Sequence, residues 1–391
     1  MNPTKRIIVG IQFLFVAFGA TVLVPLLIDI DPAIALFTAG FGTLIFHVIT
    51  KGKVPVFLGS SFAFIAPIVA ATKIYGYPGT LAGLIAVGLV YGIVSAIVKM
   101  WGLKVIEKIF PAVVVGPVIM IIGLSLATVG VDMAKTNWLI ALAVLITAIV
   151  IVIFGKGMLK LIPIFIGIVV GYIISVIAGL VDFTSVSEAS WFAMPKFITP
   201  EFNWGAIIYM IPVAVAPIIE HIGDMYAIGG VADKKFVKDP GLHRTLLGDG
   251  VATAFAGFLG GPPNTTYSEV TGAVALTKIT DPRVLRIAAV TAIIFSVIGK
   301  VSAILKTIPQ AVLGGIMLLL FGMIASIGIK TLIDAKTDFS VTRNQVIVSI
   351  ILTVGIGGAQ IGYENFSLAG IGLASVVGVI LNLVLPKDKK A

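Results

Sequence analysis

Long apolar stretches separated by short polar segments recur along the whole chain. A helix needs about 20 mostly apolar residues to cross a bilayer, and most of these stretches reach that length. The pattern therefore predicts an all-α, polytopic membrane protein. The first stretch lacks a cleavage-site pattern, so we expect a retained helix rather than a signal peptide. Hydropathy and the turn-forming residues between the stretches predict fourteen spans, at 7–28, 33–50, 54–72, 79–98, 109–130, 137–155, 160–181, 205–228, 242–260, 263–277, 285–300, 308–329, 343–359 and 367–386.

The composition agrees with a bilayer environment. Hydrophobic residues make up 59% of the chain, charged residues make up 12%, and the mean hydropathy is +1.14. These values leave little polar surface for a soluble domain. The chain has no Cys, which excludes disulfides, iron–sulfur clusters and thiol catalysis. Its three His residues show no metal-ligand spacing, so we expect neither a metal nor another cofactor.

The distribution of Lys and Arg predicts the orientation of the chain. An even number of spans puts both termini on one side. Basic residues favour the cytoplasmic side of a membrane, and with cytoplasmic termini 22 of the 27 would lie inside. We therefore expect a multi-pass protein of the inner (plasma) membrane with both termini cytoplasmic. The chain lacks a basic cluster with interleaved aromatic residues, so nucleic acid is not an expected partner. The five outer basic residues are Lys73, Lys135, Lys196, Lys300 and Lys306.

Two segments share a sequence pattern at equivalent places in the chain. Phe-Leu-Gly occurs at 57–59 and 258–260, and Thr-Lys-Ile follows at 72–74 and 277–279. These segments form the third and tenth predicted spans, which are equivalent members of two seven-span halves. They would cross the membrane in opposite directions. The sequence therefore predicts a 7+7 inverted repeat.

The same two segments carry turn-forming and polar residues at membrane depth, at 59–61 and at 260–266. Irregular backbone is tolerated there only against protein or a cavity, because its N–H and C=O groups need partners. We expect a short extended strand followed by a half-helix in each of spans 3 and 10, with the two meeting near the midplane. Paired broken spans are also the best sequence indication of a transporter's binding site.

Four acidic residues fall well inside the predicted spans, where an ionisable group indicates function. Glu220 and Asp224 are four residues apart on one helical face. Glu269 would occupy the first turn of a half-helix, where free N–H groups favour an anion or a carbonyl oxygen. Asp249 lies between two glycines, and we expect its side chain to bond local backbone.

Three runs of residues carry a resemblance to a known family: Gly-Ser-Ser-Phe-Ala-Phe at 59–64, Glu-His-Ile-Gly-Asp at 220–224, and Pro-Asn-Thr-Thr-Tyr-Ser-Glu at 263–269. With the runs at 18–25 and 239–244, the chain resembles the nucleobase–ascorbate transporter family, and within it the bacterial uracil permeases. The resemblance extends across nearly the whole chain, and the ordered set of motifs is more specific than any one of them.

The resemblance implies two domains built from intertwined repeats. A core domain would contain spans 1–4 and 8–11, at residues 1–104 and 205–306. A gate domain would contain spans 5–7 and 12–14, at residues 105–204 and 307–391. The apolar helices of the gate could also support a homodimer.

The resemblance also implies a substrate site. Glu220 and Glu269 would contact the nucleobase together with backbone groups at Phe62 and Ser268. The chemistry of uracil fits, because its two N–H groups and two carbonyls match two carboxylates and the N–H groups of half-helices. Apolar or aromatic walls would come from Ala20, Tyr267 and Phe321.

Two residues depart from the uracil-permease pattern, which has His at the position of Asp224 and Gly at the position of Ser268. Purine-transporting relatives often carry Asp at the first of these positions, but usually place an amide where this chain has Glu269. The carboxylate favours uracil, and a xanthine or purine symporter is the alternative.

These observations predict uracil uptake with a proton by alternating access. Glu220, Asp224 and Glu269 are the predicted proton-coupling residues, and sodium remains open as the coupling ion. Anion transporters are similar in fold, but two carboxylates in the cleft disfavour an anionic substrate. Intramembrane aspartyl proteases carry Gly-x-Gly-Asp, which neither Asp224 nor Asp249 completes, so we do not expect an enzyme. A passive channel is the remaining alternative.

Overall fold

The computed structural model describes residues 3–363 and 366–386. Three of the predicted inner lysines, Lys387, Lys389 and Lys390, lie outside the described residues. The described chain is mostly helical. The α-helices are α1 (Pro3–Leu27), α2 (Pro32–Ile49), α3 (Ile65–Trp101), α4 (Leu103–Ile109), α5 (Ala112–Ser125), α6 (Ala127–Lys135), α7 (Trp138–Phe154), α8 (Pro163–Ile177), α9 (Thr184–Glu188), α10 (Trp204–Met210), α11 (Val215–Ala232), α12 (Leu242–Phe258), α13 (Ser268–Thr277), α14 (Pro282–Ser296), α15 (Gly299–Lys306), α16 (Gln310–Asp334), α17 (Thr342–Ile356) and α18 (Gly370–Val384).

Short elements complete the fold. The strands are β1 (Leu58–Ser60), β2 (Asn264–Thr266), β3 (Gln360–Tyr363) and β4 (Phe366–Ala369). One-turn 3₁₀ and π segments join several helices, at Phe62–Phe64, Gly157–Leu161, Ile211–Ala214 and Val237–Gly241. The fourteenth span was predicted to begin near 367; β4 forms an antiparallel ladder with β3 there, and the helix begins at Gly370.

Length and composition identify the membrane helices. Within the described residues, six helical stretches are long and apolar enough to cross a bilayer, and four shorter apolar helices (α7, α8, α17 and α18) accompany them. The stretch Phe62–Trp101 holds two predicted spans. They are separated by a kink at Gly76, whose φ of +71° and ψ of 162° break the helix. The predicted set of many apolar helices is confirmed, while the count of fourteen stays a prediction.

The two broken spans meet as expected. Strand β1 pairs with β2 in antiparallel register, with Leu58 opposite Thr266 and Ser60 opposite Asn264. Both strands are buried, so their backbone groups need these partners. A helix follows each strand: the turn Phe62–Phe64 leads into α3, and α13 follows β2. The predicted strands and half-helices in spans 3 and 10 are therefore confirmed.

Helices pack in two groups, and both strands of this crossing lie against helices of the first group. In the first group, α12 lies against α2 and α3, and α14 lies against α1 and α2. In the second group, α16 lies against α5, α6 and α7, and α17 lies against α5 and α18. Each group contains a close helix crossing that only glycine permits. A Cβ atom on Gly88 would lie 2.5 Å from the Gly250 carbonyl oxygen, and one on Gly328 would lie 2.4 Å from that of Gly116.

Candidate substrate-binding site

A cavity of about 170 Å³ lies beside the crossing of β1 and β2. Its lining comes from both groups of helices. The second group supplies apolar side chains from α5, α7, α8 and α16, among them Ile119, Val152 and Leu320. The hydroxyl and carboxyl side chains of the lining come from α11 and from the segment of β2 and α13, so side-chain hydrogen bonds to a ligand are made on that side. The predicted site residues that line the cavity are Ala20, Phe62, Glu220, Tyr267, Ser268 and Glu269.

Two helix beginnings lie at the cavity. The helical segment after β1 starts at Phe62, and α13 starts at Ser268. The first N–H groups of a helix have no intrahelical partner, and no described side chain caps either of these helices. Both starts therefore offer free N–H donors and a positive dipole end beside the cavity.

Glu220 and Glu269 bring two carboxyl groups to this cavity from different elements. Glu220 lies on α11 after the 3₁₀ turn Ile211–Ala214, and Glu269 lies in the first turn of α13. Each side chain is partly exposed, and each lines the cavity. We expected both groups near the midplane crossing, and the structure brings them to one cavity.

Asp224 is buried and does not line the cavity with Glu220. Its Oδ2 accepts a hydrogen bond of 2.6 Å from the Thr266 hydroxyl, and its Oδ1 accepts one of 2.7 Å from the Ser268 hydroxyl. The two residues that depart from the uracil-permease pattern are thus bonded to each other. The proton-coupling role of Asp224 stays a prediction.

Tyr267 forms one wall and is fixed by the backbone around it. Its hydroxyl donates to the Ser60 carbonyl at 2.8 Å and accepts a long hydrogen bond of 3.5 Å from Thr21. The ring lies over Gly59, where a Cβ would come within 2.5 Å of ring carbons. Thr21 was not among the predicted site residues, because its only sequence signal is a hydroxyl within an apolar span.

Phe321 is buried in α16 but is absent from the residues that line the cavity. Its carbonyl oxygen lies at the close approach of α16 to Gly123 on α5. Leu320 and Ile316 provide the apolar wall on this side. The role of Phe321 as a wall stays a prediction.

Asp249 pairs with a side chain from another helix. The Nδ1 atom of His221 on α11 lies 3.1 Å from Oδ2 of Asp249 on α12, and both side chains are fully buried. Neither residue lines the cavity. We expected a local backbone bond for Asp249, and its observed partner is a histidine that sequence spacing could not identify. Within residues 3–363 and 366–386, no group of three or more His, Cys, Asp or Glu could hold a metal ion.

A multi-pass helical protein with two crossed, broken spans at a carboxylate-lined cavity has the architecture of a secondary transporter. The sequence profile of the Permease family matches residues 4–362. The chain belongs to this family, which confirms the predicted membership of the nucleobase–ascorbate transporters. It is a membrane transporter and not an enzyme.

Several relatives match over nearly their whole length. The chain is 51% identical to a Pasteurella multocida protein named "Probable uracil permease", over 99% of this chain and 95% of the relative. It is 46% identical to the uracil permease of Bacillus caldolyticus, over 100% and 94% of the two chains. It is 40% identical to the uracil permease of Escherichia coli, over 97% and 91%.

Solved structures share the fold at low sequence identity. Murine Slc26a9, an anion transporter in the inward-facing state, superposes with a TM-score of 0.72 at 11% identity, covering 98% of this chain and 68% of that one. The transmembrane domain of the cyanobacterial bicarbonate transporter BicA gives a TM-score of 0.63 at 18% identity, covering 98% of both chains. These similarities confirm the predicted fold class of an inverted-repeat membrane transporter.

Proposed function

We propose that this protein imports uracil together with a proton by alternating access. The observation that carries the proposal is the presence of Glu220 and Glu269 in one cavity with the helix beginnings at Phe62 and Ser268. The named uracil permeases among its relatives, at 40% identity and above across nearly the whole chain, support the choice of substrate.

The cavity is complementary to the edge of uracil. Two ring N–H groups of uracil would donate to the carboxyl oxygens of Glu220 and Glu269. Its two carbonyl oxygens would accept from the backbone N–H groups of Phe62 and Ser268. The Tyr267 ring, Ala20 and the apolar side chains of the opposite helices would cover the faces of the planar ring. This set of groups satisfies the donors and acceptors of a pyrimidine base within an apolar cavity.

The proton would bind in the same cavity. Two carboxylates at membrane depth are costly to move while both are charged. A proton on Glu220 or Glu269 would reduce that charge, so the loaded protein would change conformation more readily than the unloaded one. This linkage would couple uracil uptake to the proton gradient.

The movement would take place between the two groups of helices that bound the cavity. We propose that residues 1–104 and 205–306 form a core and that residues 105–204 and 307–391 form a gate. Polar contacts to uracil would come from the core and apolar contacts from the gate. Sliding of one against the other would therefore open the cavity to either side without breaking the polar contacts.

The distribution of basic residues and of exposed apolar side chains supports a proposal for the membrane, lipid and protein partners of the chain. The excess of basic residues in alternate loops supports an inner-membrane location with both termini in the cytoplasm. On α7 of the gate, Leu139, Leu142, Ile146 and Ile153 present an exposed apolar stripe. We propose that the gate contacts lipid and a second copy of the chain.

Two other substrates would use the same architecture. Purine-transporting relatives often carry Asp at the position of Asp224, so xanthine is the first alternative substrate to test. The fold neighbours favour testing anions, although two carboxylates in the cavity would repel an anion.

Uptake of radiolabelled uracil into proteoliposomes, with and without an inward proton gradient, tests the proposal. We expect gradient-driven accumulation that unlabelled uracil abolishes and that xanthine, sulfate and bicarbonate leave intact. In a parallel set of uptake assays, an inward sodium gradient replaces the proton gradient. Uptake of xanthine without uracil would refute the proposed substrate. Accumulation driven by sodium alone would refute the proposed coupling ion.

A further inference from the structure

Asp224 lies where two parts of the proposed site meet. It is one helical turn after Glu220 on α11, and its carboxyl group contacts the segment that precedes Glu269. Its two partners, Thr266 and Ser268, flank Tyr267. Asp224 therefore contacts the last residue of β2 and the first residue of α13 at the same time.

The hydrogen bonds place Asp224 as an acceptor on both oxygens. Thr266 donates to one oxygen at 2.6 Å and Ser268 donates to the other at 2.7 Å. Hydrogen bonds to an ionised acceptor are shorter and stronger than neutral ones. A buried carboxylate also requires such partners, because leaving it unpaired is costly. The pattern is that of a structural anchor with both oxygens occupied.

The anchor acts on both proposed uracil-binding carboxyl groups. Asp224 and Glu220 belong to one rigid helix. Ser268 and Glu269 are adjacent in α13, and Tyr267 is further tied to Ser60 on β1. Fixing Thr266 and Ser268 against α11 therefore fixes the position of Glu269 relative to Glu220.

We propose that Asp224 is a positioning residue, which holds the β2–α13 junction against α11 and so sets the spacing of Glu220 and Glu269. This inference rests on the proposed function for its effect on uracil. Asp224 itself neither contacts uracil nor carries the transported proton. The hydroxyls of Thr266 and Ser268 are the parts of the site through which it acts.

A double-mutant cycle tests the contact without any substrate. The variants are Asp224→Asn, Ser268→Ala and the pair, and the readout is the unfolding temperature in detergent. Ser268→Ala keeps the backbone N–H at the half-helix start. We expect the two substitutions to be strongly non-additive. The matched control is Thr271→Val in the same half-helix; its buried hydroxyl has no hydrogen-bond partner among the described residues. If the changes in unfolding temperature caused by Asp224→Asn and Ser268→Ala are additive, the two side chains do not interact.

Transport measurements separate positioning from proton carriage. We expect Asp224→Asn and the pair Thr266→Val with Ser268→Ala to weaken uracil binding by similar factors, about tenfold. Both variants should still accumulate uracil in response to a proton gradient at saturating substrate. If Asp224→Asn retains counterflow but loses gradient-driven accumulation while the hydroxyl variants do not, Asp224 carries the proton and the proposal is overturned. If the wild type does not bind uracil, the proposed function fails, and the unfolding cycle still decides the contact.

Discussion

The imidazole of His221 lies 3.1 Å from the carboxyl group of Asp249, and the pair is fully buried between α11 and α12. Both residues lie outside the proposed uracil cavity. The pair joins the helix that carries Glu220 to a helix that packs against α2 and α3. It thus connects the site to the interior of the first helix group.

Removing one member of this pair should destabilise the protein. Asp249→Ala leaves the buried His221 ring without the carboxyl group beside it, and leaving a buried polar group unpaired costs about 1–3 kcal/mol. We expect a loss of that size in the free energy of unfolding, measured by denaturant titration in detergent. Asp334→Ala, at an exposed position at the end of α16, serves as the control. Equal stability of the two variants would show that the pair does not hold the helices together.

Replacing Glu269 by Gln tests the proposed contact to uracil. The substitution keeps the shape of the side chain but exchanges one acceptor oxygen for an N–H₂ donor, which would oppose an N–H group of uracil. A hydrogen bond to a charged group contributes about 1.5–3 kcal/mol, so we expect uracil affinity to fall by about ten- to a hundredfold. Equilibrium binding of labelled uracil measures this. Glu107→Gln, exposed on α4, should bind like the wild type. If Glu269→Gln binds uracil with unchanged affinity, Glu269 does not contact uracil.

The crossing of α3 and α12 should be sensitive to one methyl group. A Cβ on Gly88 would lie 2.5 Å from the Gly250 carbonyl oxygen and 2.7 Å from the Ala254 Cβ, whereas no atom of the described chain lies within 4 Å of one on Gly92. We expect Gly88→Ala to lower the free energy of unfolding by about 1–3 kcal/mol through overpacking. Gly92→Ala should leave it unchanged or raise it, since Ala favours helix. If both variants unfold alike, the helices are not in close contact there.

The sequence predicted the parts of this fold that depend on local pattern. The breaks at 59–61 and 260–266 were visible as glycine, proline and polar residues at membrane depth. From these breaks the crossing of two short strands was predicted. The acidic residues Glu220 and Glu269 stood out for the same reason. The partners of Asp224 and Asp249 could not be predicted, because they come from other elements and depend on how α11 is rotated against β2 and α12. Helical periodicity does not determine that rotation.

An ion pair joins Asp31, just before α2, to Lys306, at the end of α15. This pair predicts that the stability of the protein depends on pH. Asp31 caps Ala33 N–H and accepts hydrogen bonds from Ser302 at 2.6 Å and Lys306 at 2.7 Å. Burial raises the pKa of Asp31, but the bonds from Lys306, Ser302 and the Ala33 N–H outweigh it, so that the pKa lies below its ordinary value of 3.8. The unfolded chain then takes up the proton first. Asp31 stabilises the fold fully above about pH 4, and this contribution is lost as the pH falls through its lowered pKa.

We therefore expect the unfolding temperature of the wild type to drop more steeply between about pH 5 and pH 3 than that of Asp31→Asn. At neutral pH the variant should be less stable by about 0.2–1 kcal/mol, because Asn still caps the helix but loses the ion pair with Lys306. Asp29→Asn, an exposed neighbour, is the control. Parallel pH curves for Asp31→Asn and the wild type would contradict the role of the ion pair.

The absence of Cys from the 391 residues of this sequence allows a direct test of the proposed movement. A Cβ on Gly19 in α1 would lie 3.3 Å from the Cβ of Ile164 in α8, close to the separation of about 3.5–4.5 Å that a disulfide requires. The pair Gly19→Cys with Ile164→Cys would join the proposed core to the proposed gate. We expect oxidation to stop uracil counterflow and reduction to restore it, with each single variant unaffected by oxidant. Counterflow that continues after complete cross-linking would mean that α1 and α8 do not separate during transport, and the division into a moving core and gate would have to be redrawn.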